Sequence, residues 1–79
     1  MNVIFLFFGA TAELVGTRRT DVRLKSGVTA NIAFDEIKKK FPNLDGLKLH
    51  CAVNEKYATG DEIIRDGDEL AIFTAVSGG

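Results

Sequence analysis

One cysteine, one histidine and one proline occur in the 79 residues, and each scarcity excludes something. A single thiol, Cys51, cannot close an internal disulfide, which fits a reducing compartment such as the cytoplasm. His50 directly precedes Cys51, and neighbours on an extended strand point to opposite faces, so the two cannot clasp one metal ion. No metal site is expected. Ten Lys and Arg against eleven Asp and Glu leave a net charge of −1. That balance offers no basic stripe to displace counterions, so no nucleic-acid partner is expected. The one basic run, Lys38-Lys39-Lys40, falls near the end of a predicted helix, where cations complement its negative pole. The apolar start from Met1 to Phe8 lacks a basic flank and is far too short to span a bilayer, so it reads as a buried strand and no membrane role follows.

A hydrophobic fraction of 46% beside 27% charged residues is that of one folded domain, too short to support two cores. Asn2 to Phe8 is an uninterrupted strand pattern stopped by Gly9. Thr11 to Leu14 fits a single helical turn with Gly16 as its stop, and Thr20 to Leu24 alternates like a half-exposed strand. Ile32, Phe34, Ile37 and Phe41 mark one side of the main helix, with Thr29 or Asn31 as its cap and Pro42 as its end. Asp35-Glu36 is placed near the positive pole of that helix. Asn43 to Lys48 reads as a loop. Leu49, Cys51 and Val53 then alternate with His50, Ala52 and Asn54 in a third strand, with Cys51 a buried structural thiol on the apolar parity. Lys56 to Ala58 forms a short edge strand, and Asp66-Gly67-Asp68 turns the chain into the last strand, Glu69 to Phe73.

This order predicts an α+β roll of ββαββ type: a mixed sheet of four to five strands with one main helix on one face, and first and last strands parallel and adjacent. Residues 1–73 form the domain and residues 74–79, Thr74-Ala75-Val76-Ser77-Gly78-Gly79, are left as a flexible tail. Both faces of the first strand are apolar, yet one helix covers only one face. With Val3, Phe5 and Phe7 joining Leu70 and Ile72 under the helix, Ile4, Leu6, Phe8 and Phe73 fall on the open face, extended by Tyr57, as a partner-binding patch. The acidic residues Asp61, Glu62, Asp66, Asp68 and Glu69 near the last turn are read mainly as turn residues and solvated surface. Arg18-Arg19 is assigned no role.

Phe7-Phe8-Gly9, Glu13-Leu14-Val15-Gly16, Ala52-Val53-Asn54, Asp66-Gly67-Asp68-Glu69 and Val76-Ser77-Gly78-Gly79 occur in this order. Together with the order of elements they resemble the ubiquitin-like β-grasp fold, and more narrowly the small, sulfur-carrier subunits of molybdopterin synthases. Thr74-Ala75 departs from that family, which commonly carries a proline pair there, so this tail enters its partner from a less restricted ensemble. The resemblance implies that the Gly79 carboxylate is adenylated by a partner related to ubiquitin-activating enzymes, converted by a sulfur donor to a thiocarboxylate, and inserted into the large synthase subunit. There it gives its sulfur to the cyclic pterin precursor of the molybdenum cofactor. Two small and two large subunits are implied, the small one non-catalytic alone. ATP belongs to the activating enzyme, since this chain has no phosphate-binding loop motif. Glycine at the last two positions lets the tail pass a narrow tunnel. Family docking positions match Phe8, Tyr57 and Phe73. A carrier for thiamine synthesis or transfer-RNA thiolation, a protein modifier and a ubiquitin-like binding module are the competing readings.

Overall fold

The computed structural model describes residues 1–74; the tail residues Ala75, Val76, Ser77, Gly78 and Gly79 lie outside the described residues. The elements are β1 (Asn2–Phe7), α1 (Ala10–Val15), β2 (Arg19–Arg23), α2 (Ala30–Lys40), a 3-10 turn (Pro42–Leu44), β3 (Leu49–Val53), β4 (Lys56–Tyr57) and β5 (Glu69–Thr74). The five strands lie in the order β2-β1-β5-β3-β4. β1 and β5 are parallel neighbours at the centre, pairing Phe5 with Leu70 and Phe7 with Ile72, and every other pairing is antiparallel. This is the expected mixed sheet with its crossover helix. β5 runs one residue further than expected, with Thr74 opposite Leu49.

The core lies between α2 and one face of the sheet. Val3, Phe5, Phe7, Leu70 and Ile72 are buried there against Ala30, Ala33 and Ile37. Burying each large side chain contributes roughly 1.5–3 kcal/mol, so these strand residues carry much of the stability. The Phe7 and Phe41 rings meet edge to face at 5.6 Å. α2 begins where the Thr29 hydroxyl accepts from the Ile32 amide at 3.3 Å, and Lys38, Lys39 and Lys40 occupy its last turn.

Three sequence expectations change here. Ile32 is 47% exposed, because the sheet-facing side of α2 follows Ala30, Ala33 and Ile37, and a residue five before Ile37 lies well round the helix. Asp35 and Glu36 are mid-helix rather than at the positive pole, and pair with Lys38 and Lys39 one turn on, at 3.7 and 3.5 Å. The segment expected as a plain loop contains most of the Pro42–Leu44 turn, which drives Leu44 fully into the core.

β3 and β4 are joined by two residues, Asn54 and Glu55, with φ of 47° and 72°. Both central residues of a type I′ hairpin turn need this left-handed region, which Asn accepts more readily than Glu. Asn54 also ties the hairpin to β5: its Oδ1 accepts from the Glu69 amide and its Nδ2 donates to Asp68, each at 3.0 Å.

Candidate functional site: the open sheet face

Strand alternation that sends Val3, Phe5 and Phe7 inward sends Ile4 and Leu6 outward, and on β5 it turns Ala71 and Phe73 away from the core. Among the described residues no element covers this second face, and Ile4, Leu6, Ala71 and Phe73 on it are only partly shielded. Register then decides which of them meet. His50 pairs with Phe73 across β3 and β5, and Ala52 pairs with Ala71 on one side and Tyr57 on the other. The His50 and Phe73 rings stack at 5.8 Å with planes 25° apart, and Tyr57 meets Phe73 edge to face at 5.8 Å. Such pairs favour one ring arrangement over the many open to an isolated exposed phenylalanine. Phe73 is therefore held between two neighbours.

Phe8 stands just past the end of β1, 52% exposed, and with Gly9, Ala71, Phe73 and Thr74 lines an open hollow. Tyr57, on the edge strand, is 76% exposed. The structure thus brings the three expected docking aromatics onto one strip, with Thr74, the last described residue, at the hollow's edge. The sequence pattern does not mark His50 for this strip. Its parity with Phe73 depends on strand register, and no local signal carries it.

The rim of the face is charged. Arg19 donates to Asp21 at 3.1 Å beside Leu6, and this hydrogen bond holds the Asp21 carboxyl below its ordinary range. The acidic residues near the last turn serve largely as backbone acceptors. Glu62 accepts from the Thr59 and Gly60 amides at 2.7 and 2.8 Å, which lowers its pKa, while Asp68 accepts from the Arg65 amide and Asp66 from the Asn2 amide. Asp61 has no such bond among those described.

Cys51 faces the helix side, packed against the core and half-buried, where desolvation first and the Glu62 charge second push its thiol up to about 11. A thiol so rarely ionised at neutral pH is a poor nucleophile. Among the described residues no group of three or more His, Cys, Asp or Glu is placed to hold a metal ion, and no helix is long and apolar enough to cross a membrane. The described part of this face is a strip of aromatic rings beside a charged rim.

A five-stranded roll of this order around one crossover helix, with an aromatic strip on its uncovered face, makes the molecule a ubiquitin-like β-grasp protein. Its sequence matches the ThiS family model over residues 5–79, and the chain belongs to that family. It is 37% identical over its whole length to the molybdopterin synthase sulfur carrier subunit of Arabidopsis thaliana, covering 84% of that protein. SAMP1, small archaeal modifier protein 1, from Haloferax volcanii superposes with a TM-score of 0.89 at 27% identity, with both chains fully covered. A chain in the Helicobacter pylori complex of subunits 1 and 2 of molybdopterin-converting factor shares the fold, with a TM-score of 0.73 at 18% identity and both chains fully covered.

Proposed function

We propose that this protein is a sulfur-carrier subunit of a molybdopterin synthase. The observation that carries the reading is the aromatic strip of Phe8, Phe73, His50 and Tyr57, which borders Thr74 five residues before the terminal Gly79. A docking surface at that place lets a partner grip the folded domain while the segment from Thr74 through Ala75, Val76, Ser77 and Gly78 reaches its active site. Full-length similarity to a named sulfur carrier subunit supports it.

A carboxylate is a poor acyl donor, so the Gly79 oxygen must first become a leaving group. In this reading the carboxylate attacks ATP on an activating enzyme, pyrophosphate departs, and a sulfur donor displaces AMP to leave a thiocarboxylate. The loaded tail then enters the large synthase subunit and donates its sulfur to the cyclic pterin precursor, in a cytoplasmic assembly of two small and two large subunits. All acid–base groups come from the partners; this chain supplies the reacting carbonyl and the strip that delivers it. No cofactor is bound by the chain itself.

Intact-mass measurement tests this directly. After incubation with activating enzyme, ATP and a sulfur donor, the chain should gain the mass difference between sulfur and oxygen. Deleting Gly79 should abolish the gain without changing the melting temperature. A tail that stays a carboxylate under conditions that load a known carrier overturns the reading. A second reading, protein modifier, is favoured by the similarity to SAMP1, in which case a lysine amine would take the place of the sulfur donor. Isopeptide-linked adducts in place of dithiolene product, when large subunit and pterin precursor are added, would decide for it.

A further inference from the structure

Thr11 is the one fully buried polar side chain among the described residues, and its hydroxyl is bonded entirely within the docking region. Oγ1 lies 2.7 Å from the Phe8 carbonyl oxygen and 3.0 Å from that of Ile72, between which its single proton is shared. It also accepts from the Phe8 amide at 3.0 Å. All three partners therefore belong to the two segments that carry the strip: Phe8 itself, and the residue immediately before Phe73.

Phe8 needs such a fastening. It lies beyond β1, where the hydrogen bond its amide donates to the Ile72 carbonyl at 3.1 Å is the last rung toward β5. Gly9 follows with φ 56° and ψ −129°, angles of the first central position of a type II′ turn, and the Thr11 amide closes that turn onto the Phe8 carbonyl at 3.2 Å. A ring that is half exposed is not held by packing, so its position follows its backbone. We propose that the Thr11 hydroxyl is a positioning group for partner docking, locking the Phe8–Gly9 turn onto β5 and so setting the Phe8 ring relative to Phe73 and the chain's exit at Thr74. This rests on the strip being the partner interface.

The test is titration calorimetry of the full-length chain with the cognate molybdopterin synthase large subunit, comparing Thr11→Val, Thr11→Ser, Phe8→Ala and the remote core variant Ile37→Val. Thr11→Val keeps the shape and removes the hydroxyl, and should weaken binding about tenfold, the size expected for losing a buried hydrogen-bond anchor. Thr11→Ser restores the hydroxyl and should bind within about twofold of the parent chain. Ile37→Val lowers stability from within the core, on the covered side of the sheet, and should leave affinity unchanged, which separates positioning from general destabilisation. Wild-type affinity in Thr11→Val alongside a weakened Phe8→Ala overturns the positioning role and spares the interface. Wild-type affinity in Phe8→Ala overturns the interface and the positioning role together. Should Thr11→Val not fold, Thr11→Ala against Thr11→Ser carries the same contrast, and equal binding by those two overturns the proposal.

Discussion

β1 and β5 have two faces built from alternate residues of the same strands, and the two behave as different materials. Val3, Phe5, Phe7, Leu70 and Ile72 are sealed under α2, while Ile4, Leu6, Ala71 and Phe73 are half-shielded and Phe8 stands half in water. The residue types barely differ. What differs is a cover: α2 buries the first set, and in the second set the Phe73 ring is flanked by the His50 and Tyr57 rings at the surface. An apolar side chain under the helix contributes to stability, and in the proposed function the same chemistry across the sheet contributes to binding.

The sharpest way to break this contrast is to truncate one phenylalanine on each face. Phe5→Ala should destabilise by about 3–5 kcal/mol through lost burial and a residual cavity, a large part of the stability of so small a domain, read by denaturant unfolding. Phe73→Ala should lower the melting temperature much less, yet weaken large-subunit binding about thirtyfold, as a central aromatic anchor does. If Phe73→Ala instead unfolds the chain while binding survives, the two faces are not distinct.

Adjacent residues on β3 divide in the same way: His50 lies on the open face and Cys51 on the covered one. Burial raises the Cys51 thiol to about 11 from an ordinary 9.0, so the folded state holds its proton where the unfolded chain releases it. The resulting stability is fully present below pH 9.0 and is lost as pH rises toward 11. Unfolding midpoints measured across that window should fall in the parent chain, and the component due to this thiol should vanish in Cys51→Ala. The smallest expected effect touches neither face. Glu55→Gly relieves a left-handed backbone with φ of 72° in the hairpin turn and should stabilise by about 0.5–1 kcal/mol without altering docking.

Much of this was legible from local pattern. The central parallel pair, and the division of β1 into Val3, Phe5 and Phe7 on one face and Ile4, Leu6 and Phe8 on the other, follow from alternation and connection rules, because a strand has only two faces. The helix was less legible: Ile32 sits off the buried side, where two small alanines supply contact that a search for large apolar residues overlooks. Leu44 was hidden in a segment read as loop, since a 3-10 turn has too few residues to display a period. Parity and resemblance single out Phe8, Tyr57 and Phe73, but not His50 or Thr11. His50 enters the strip by being opposite Phe73, and the Thr11 hydroxyl bonds to Ile72, sixty-one positions along the chain.

By itself, the sequence determined the order of elements and which residues of each strand share an apolar side. These are properties of short windows, set by side-chain period and backbone freedom. Tertiary structure alone decided which apolar face stays open, which rings touch upon it, and where the buried Thr11 hydroxyl makes its hydrogen bonds. Those depend on the register between strands distant in the chain, a relation that exists only after the chain has closed upon itself.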